Sequence, residues 1–246
     1  MTRAIVMTKT GGPEVLQLQD LKLPRPAKGE VQVRITAIGV NFIDTYQRSG
    51  LYKVELPYIP GGEMCGVVEA VGRGVDSFAV GDRVACGTAG RGCYAERTNV
   101  AAARLVKVPK GISDDVAAAI MLKGMTAQYL CRQVYRVDQH DTILVHAAAG
   151  GVGLLLCQWA SALGATVIGT VSSTAKAKLA KANGCTHVIN YTQKDFVKEV
   201  KRITQILSRK KKNNVVIVGD AGVGKSALVE KLALMVNKGD CPSNLL

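Results

Sequence analysis

Two glycine-rich loops, each set between an apolar stretch and a helix-forming stretch, constrain this chain more than any other feature. The first loop, Ala147–Gly153, follows Thr142–His146, and the second, Gly219–Ser226, follows Val215–Val218. Such a loop presents backbone N–H groups and a helix N-terminus to an anionic ligand. The first loop has the form that holds a dinucleotide, and the second meets the Walker A template for a nucleoside triphosphate.

Composition narrows the classes of protein. The 246 residues are enough for one large domain or two small ones, and 48% of them are hydrophobic. No apolar run reaches the about 18 residues of a membrane span, and the N-terminus lacks a signal-peptide pattern. Seven cysteines without a C-x-x-C pair indicate reduced thiols and no zinc cluster. We therefore predict a cytoplasmic protein without a membrane partner.

The chain reads as three parts. Residues 1–122 contain β-branched runs separated by Gly, Pro and Asp turns, which predicts a small β-barrel with strands at Val31–Ile38, Gly66–Val71 and Arg83–Ala85. Ser113–Asp115 is expected to cap a helix to about Leu122, followed by a second helix over Thr126–Tyr135. Residues 123–204 then alternate between strand and helix. The strands are expected at 142–146, 165–170 and 187–190, and the helices at 152–163 and 174–182. This succession is typical of a βαβαβ unit with a parallel sheet.

The first loop can be interpreted residue by residue. Gly150 lets the backbone approach a pyrophosphate, and Gly153 lets the helix pack closely on its strand. Ala148 stands where the commonest dinucleotide-binding fingerprint has its first glycine. The assignment of this loop to dinucleotide binding therefore depends largely on the strand before it and the helix after it. The next strand ends without the acidic residue of NAD enzymes. It ends instead with small hydroxyls and a cation (Ser172, Ser173 and Lys176), which favours NADPH. The alternative is a glycine turn that only packs helix on strand.

A family resemblance follows from these and other segments. Residues 1–204 resemble the zinc-free quinone oxidoreductase (zeta-crystallin-like) branch of the medium-chain dehydrogenase/reductase superfamily. The matching segments are Gly11–Leu16, Gly39–Tyr46, Arg48–Tyr52, Gly81–Val84, Lys123–Ala127, His146–Gly153, Gly184 and Val188–Tyr191. The resemblance implies a GroES-like catalytic barrel, then the first half of a Rossmann domain, a doubly wound parallel α/β fold. It also implies hydride transfer from NADPH to a small-molecule quinone or related enone.

The resemblance also implies site residues. It places Asn41, Tyr46 and Tyr52 around the acceptor, although the two tyrosines are equally consistent with barrel packing. It places Tyr129, Gly150, Gly151, Val152, Gly153, Ser172, Ser173, Lys176 and Tyr191 around the cofactor. Zinc-dependent relatives have a cysteine in place of Asn41 and a His-Glu pair in place of Gly62-Glu63. We therefore expect no metal site.

Residues 205–246 resemble a different family, the Walker A region of Clp-type AAA+ unfoldases. The resemblance implies a P-loop strand–helix fragment that binds ATP and magnesium through Gly219, Gly222, Gly224, Lys225 and Ser226. No acidic Walker B strand follows, so we do not expect ATPase activity. The basic run Arg209–Lys212 favours a solvated linker over nucleic-acid binding, because no aromatic platform accompanies it.

This junction leaves two hypotheses open. The first is an NADPH:quinone oxidoreductase whose turnover is impaired, because the second half of its Rossmann domain and the family-type dimer edge are replaced. The second is a non-catalytic nucleotide-binding or partner-binding fusion protein. The strand at Val215–Val218 is expected to lie parallel to Thr142–His146, which brings the two glycine loops to one sheet edge. The alternative is a separate tail that is loosely tethered by a disordered basic linker.

Overall fold

The computed structural model of the chain describes residues 1–193 and 217–218. The residues form two compact units, Met1–Leu122 and Lys123–Leu246. Within the described ranges, no helix is both long and apolar enough to cross a bilayer. The predicted linker Arg209–Lys212 and the Walker A residues Gly219, Gly222, Gly224, Lys225 and Ser226 lie outside the described residues.

The first unit is built on antiparallel strands. In chain order its elements are β1 (Thr2–Val6), β2 (Gln17–Leu21), β3 (Glu30–Gly39), α1 (Phe42–Ser49), β4 (Glu63–Val71), β5 (Arg83–Cys86), β6 (Arg97–Ala101), β7 (Val106–Lys107) and the start of α2 (Asp114–Gln128). One sheet has the order β6-β3-β4-β5-β7, and β1 pairs with β2. These pairings run as an open row from β6 to β7, so the barrel stays a prediction.

The core of this unit follows from strand alternation. Val31 and Val33, two residues apart on β3, face the same side and are fully buried with Met64, Val68 and Val84. The pairing of β3 with β4 shifts register between Gln32 and Val33 and again between Ile35 and Ala37. Such bulges bend a strand and re-aim the residues beyond them. The second bulge directly precedes the end of β3, where the residues of the candidate site begin.

The helix prediction around residue 124 was wrong in one respect. We expected two helices, but α2 runs from Asp114 to Gln128 and passes directly into a π-helical turn over Tyr129–Val134. A glycine inside a helix costs about 1 kcal/mol relative to alanine, which does not terminate a helix that has other support. The predicted cap is present, because the Ser113 hydroxyl accepts the N–H of Val116 at 3.4 Å.

The second unit contains a parallel sheet of order β10-β9-β8-β11. Its elements are β8 (Thr142–Val145), α3 (Gly151–Ala162), β9 (Thr166–Val171), α4 (Thr174–Ala182), β10 (His187–Asn190) and β11 (Ile217–Val218). The core packs α3 and α4 on the sheet through buried side chains that include Val145, Leu156, Val167 and Ala180. The predicted βαβαβ unit is confirmed, and most of its boundaries agree within one residue.

The position of β11 confirms the expected pairing for the two tail residues that the structure describes. Ile217 lies opposite Leu144 and Val218 opposite Val145, in a parallel register. Consecutive strands therefore run from β8 through β9 to β10 on one side, while β11 lies on the other side of β8. In sheets of this type, ligands bind at the carboxyl end of the strand where the order reverses. Here that strand is β8.

Candidate functional site

The loop after β8 is turned sharply by one strained residue. Ala147 has φ 51°, in the left-handed region that non-glycine residues seldom occupy. Its carbonyl accepts the N–H of Gly150 at 2.7 Å, and the N–H of Ala148 donates to the Thr170 carbonyl of β9 at 3.0 Å. Helix α3 then starts at Gly151 without an acidic residue in its first turn. The positive end of its dipole is therefore not neutralised by its own side chains.

Close packing accounts for the small residues of this loop. A Cβ added at Gly153 would lie 2.3 Å from the Ala147 carbonyl oxygen and 2.9 Å from the Ala148 Cα. The methyl group of Ala148 fits because its neighbour on β9 is Gly169, where an added Cβ would lie 2.6 Å from it. The departure from the common fingerprint at Ala148 is thus compensated on the adjacent strand. A Cβ at Gly151 would meet only the flexible side chain of Lys123, at 2.8 Å.

A second group of candidate residues lies at the carboxyl end of β9. The Lys176 ammonium donates to the Ser172 hydroxyl at 3.2 Å, and the Lys176 backbone N–H donates to the Ser173 hydroxyl, also at 3.2 Å. Ser173 is the N-cap of α4. Two hydroxyls, an ammonium and a helix N-terminus therefore meet at one exposed position, which suits a phosphate.

Two tyrosines complete the candidates in this unit. Tyr191 directly follows β10 and is joined to the end of β9 by its N–H, which donates to the Val171 carbonyl at 3.1 Å. Tyr129 opens the π-helical turn, and both rings are about half exposed. Among the described residues, no hydrogen bond joins Tyr129 to the glycine loop or to the Ser172–Lys176 group. An exposed aromatic ring offers a face for stacking.

In the first unit, the candidate acceptor residues lie in α1 or directly beside it in the chain. Asn41 is its N-cap, and Tyr46 lies one turn into the helix. The Tyr46 and Tyr52 rings lie 5.3 Å apart, centroid to centroid, and Phe42 packs edge-on against Tyr46 at 5.2 Å. Phe42 is 64% exposed. The sequence interpretation missed Phe42, although its spacing of four residues from Tyr46 was the available signal.

A buried polar network lies behind Asn41. Glu63, the first residue of β4, has no solvent exposure. Its Oε2 accepts from the Asn41 Nδ2 at 2.7 Å, and its Oε1 accepts the N–H of Leu122 at 2.8 Å. Asp44 accepts the backbone N–H of Asn41 and the Tyr94 hydroxyl, both at 2.9 Å. Sequence reasoning missed this network, although a carboxylate at the start of a mostly apolar strand was a signal for it.

The Tyr94 hydroxyl stays protonated and therefore remains a hydrogen-bond donor to Asp44. Burial, and then the hydrogen bond to the Asp44 carboxylate, raise the pKa of Tyr94. A raised pKa means that the hydroxyl keeps its proton well above neutral pH and remains a donor to Asp44. The Tyr94–Asp44 hydrogen bond therefore keeps its direction near neutral pH.

The residues present do not fit a metal ion. Among residues 1–193, no group of three or more His, Cys, Asp or Glu side chains lies close enough to hold one. At the positions where zinc-dependent relatives have a cysteine and a histidine, this chain has Asn41 and Gly62, which are not suitable zinc ligands. Both oxygens of Glu63 accept hydrogen bonds. A catalytic zinc requires three protein ligands. No step of the proposed chemistry is therefore assigned to a metal.

Family models match both units. The alcohol dehydrogenase GroES-like domain matches residues 27–110, and the zinc-binding dehydrogenase model matches residues 151–241. The second match extends beyond residue 204, where the sequence predicted a change of family. It includes the residues that resemble a Walker A loop, so the dehydrogenase model alone accounts for most of the tail.

Three relatives illustrate the similarity. The quinone oxidoreductase of Pseudomonas aeruginosa is 51% identical over 205 residues, covering 83% of this chain and 63% of the relative. The 2-haloacrylate reductase of Burkholderia sp is 44% identical over 247 residues, covering 98% and 72%. The crystal structure of Escherichia coli quinone oxidoreductase complexed with NADPH has a TM-score of 0.80 at 47% identity, covering 83% and 63%.

The chain covers only part of the length of these relatives. It spans about 63% of the length of the P. aeruginosa relative and of the E. coli structure. Over that length, the GroES-like match and the Rossmann-type sheet fall in the same order as the sequence predicted. Together with the 44% identity to a reductase of which the chain covers 72%, these matches establish the family. The chain belongs to the quinone oxidoreductase branch of the medium-chain dehydrogenase/reductase superfamily.

Proposed function

We propose that this protein binds NADPH and reduces a quinone or related enone by hydride transfer. The observation that carries the proposal is that the Ala147–Gly153 loop follows β8, while Lys176 and Ser172 lie at the carboxyl end of the neighbouring strand β9. The loop and the N-terminus of α3 suit a pyrophosphate, and the Lys176–Ser172 pair suits a 2′-phosphate. Relatives described as quinone oxidoreductase and 2-haloacrylate reductase, and the NADPH complex of one of them, support the same chemistry.

The second unit would hold the cofactor through the residues described above. Gly150, Gly151, Val152 and Gly153 line the start of α3, where backbone N–H groups bind the pyrophosphate. Ser172, Ser173 and Lys176 bind the ribose phosphate, and the exposed rings of Tyr129 and Tyr191 flank the cofactor. When bound, NADPH supplies the hydride and the protein supplies orientation. In NAD-selective relatives an acidic residue would take the place of this hydroxyl and ammonium group.

The first unit would hold the acceptor. Asn41, Tyr46 and Tyr52 are the proposed contacts, and the hydroxyls of the two tyrosines are able to donate a hydrogen bond to an acceptor oxygen. Reduction of a quinone or enone places negative charge on such an oxygen, so preorganised donors stabilise the transition state. The Tyr46–Tyr52 ring pair also offers an apolar surface to a planar acceptor.

The tail enters the proposal through β11. Its pairing with β8 supports a position for the second glycine loop near the carboxyl end of the same sheet. ATP and magnesium binding by Gly219, Gly222, Gly224, Lys225 and Ser226 stays a prediction. Limited proteolysis tests the position: resistance at Arg209–Lys212 is expected. Rapid cleavage there that leaves NADPH affinity unchanged would contradict it.

A second candidate function is nucleotide binding without turnover, which would need only the cofactor residues of the second unit, Gly150–Gly153, Ser172 and Lys176. The deciding experiment is an NADPH fluorescence titration, followed by assays with a naphthoquinone and an acyclic enone. Saturable binding with oxidation of NADPH supports the oxidoreductase. Binding without oxidation supports the second candidate, and failure to bind NADPH would overturn both. We also propose a cytoplasmic location, since the six described cysteines are free and buried, which suits a reducing compartment.

A further inference from the structure

A fully buried carboxylate lies directly behind one of the proposed acceptor residues. Glutamates are seldom fully buried unless their charge is compensated, yet Glu63 has no solvent exposure. Its two oxygens accept from different elements: Oε2 from the Asn41 side chain at 2.7 Å and Oε1 from the backbone of α2, at Leu122, 2.8 Å away. The carboxylate therefore ties the start of α1 to α2.

The chemistry of this pair fixes the orientation of the Asn41 amide. Both oxygens of Glu63 act as acceptors here, whereas an asparagine side chain has a donor end and an acceptor end. Only the Nδ2 end is therefore able to face Glu63, and the carbonyl Oδ1 must lie at the other end of the amide. The capping box of α1 holds Asn41 at two further points, because its backbone N–H donates to the Asp44 side chain at 2.9 Å and its own side chain accepts the backbone N–H of Asp44.

Packing prevents the carboxylate from moving away. A Cβ added at Gly39, the last residue of β3, would lie 2.3 Å from Glu63 Oε2 and 2.4 Å from its Cγ. The same added atom would lie 2.3 Å from the Ala118 carbonyl oxygen of α2. The Glu63 side chain thus rests directly against the bare backbone of Gly39. A glycine at the end of β3 is what makes room for it.

We propose that Glu63 is a positioning residue that acts through Asn41. By binding Nδ2 it fixes the orientation in which the Asn41 amide meets the acceptor. Glu63 itself touches neither acceptor nor cofactor. The inference rests on the proposed function, because the role of Asn41 does. The contact between Glu63 and Asn41, and the orientation that it gives the amide, are testable without turnover.

The first test is kinetic and uses Glu63→Gln. Glutamine has nearly the same size but only one carbonyl oxygen, so it cannot accept from both Leu122 and Asn41. We expect kcat for the quinone to fall by about 10- to 100-fold, as for other losses of supporting hydrogen bonds, while the Kd of NADPH changes by less than about twofold. In an Asn41→Ala background the same substitution should cost less than about twofold more. Equal losses in both backgrounds, or a parallel loss of NADPH affinity, would overturn the proposal.

The second test exchanges the two groups and measures thermal stability. Asn41→Asp places two acceptors against each other and should lower Tm. Adding Glu63→Gln should restore most of the loss, because the glutamine donates to the new carboxylate and still accepts from Leu122. A double variant no more stable than Asn41→Asp alone would overturn the contact. If the single variant does not fold, soluble yield of the double variant gives the same readout.

The two experiments separate the inference from the proposed function. A chain that reduces no acceptor defeats the oxidoreductase proposal, whereas the exchange of Asn41 and Glu63 still decides whether the pair is coupled. Conversely, an active enzyme whose exchanged pair shows no recovery in Tm keeps the proposed function and loses the role of Glu63.

Discussion

The two candidate sites are preorganised by different means. In the second unit the loop after β8 is shaped by backbone, with small residues at Ala148, Gly153 and Gly169 that permit contacts of main chain with main chain or methyl group. In the first unit, side chains do this work, because Glu63 holds Asn41 by a hydrogen bond. A backbone site depends on the absence of side chains, and a side-chain site depends on particular functional groups. The two sites should therefore fail in different ways when they are substituted.

The largest effect is expected from Gly153→Ala. The added Cβ would lie 2.3 Å from the Ala147 carbonyl oxygen, and neither strand nor helix is free to move far. Overpacking of this kind costs about 3 kcal/mol, which displaces α3 and removes most NADPH binding. The matched control is Gly151→Ala, whose Cβ meets only the Lys123 side chain. Fluorescence titration and thermal unfolding should show a large loss for the first variant and a small one for the second.

The corresponding change in the first unit is Gly39→Ala, which should damage turnover more than cofactor binding. Its Cβ would displace the Glu63 carboxylate and with it the Asn41 amide. We expect about 2 kcal/mol of destabilisation and a lower kcat, with the Kd of NADPH little changed. Gly62→Ala is the control, since its nearest neighbour is the Gly90 nitrogen at an ordinary 3.7 Å. Loss of NADPH affinity in Gly39→Ala would erase the distinction between the sites.

The same contrast explains what could be predicted from the sequence. The loop site is encoded locally: glycine spacing, a strand before it and a helix after it are all visible in one stretch of sequence. The bounds of α4 and β10 coincide with the predicted ranges for the same reason. Even the pairing of Ile217–Val218 with β8 followed from the apolar run and the handedness of crossover connections.

The network around Asn41 had no such local code. Asn41, Glu63, Tyr94 and Leu122 are far apart in the chain. The antiparallel pairing of β3 with β4, with two register shifts, sets Gly39 opposite Glu63, and hydrogen bonds from other elements complete the network. A buried glutamate in a strand has no periodicity of its own. The helix prediction failed for a similar reason: two helices were predicted, whereas α2 continues through Gly124, because tertiary support outweighs the low helix propensity of glycine.

The charge of Lys176 tests whether the group at the end of β9 binds a phosphate. Lys176→Ala removes the ammonium that lies 3.2 Å from the Ser172 hydroxyl. If it binds a 2′-phosphate, the Kd of NADPH should rise by about 10- to 100-fold, while that of NADH changes little. Lys178→Ala, a neighbouring exposed lysine on α4, serves as the control for general loss of charge. Equal losses for the two cofactors would contradict the assignment of this group to the phosphate.

The smallest effect separates two adjacent hydroxyls that the sequence treats alike. Ser173 accepts the Lys176 backbone N–H as the N-cap of α4, whereas Ser172 accepts the Lys176 ammonium. Losing a serine cap costs about 1 kcal/mol, so Ser173→Ala should lower Tm by about 3 °C. Ser172→Ala leaves the cap intact and should keep Tm nearly unchanged while raising the Kd of NADPH a few-fold. Differential scanning fluorimetry and NADPH titration of both variants test this division. If both variants lose stability equally and neither loses affinity, the end of β9 serves only to cap α4. The cofactor site of this unit would then reduce to the glycine loop.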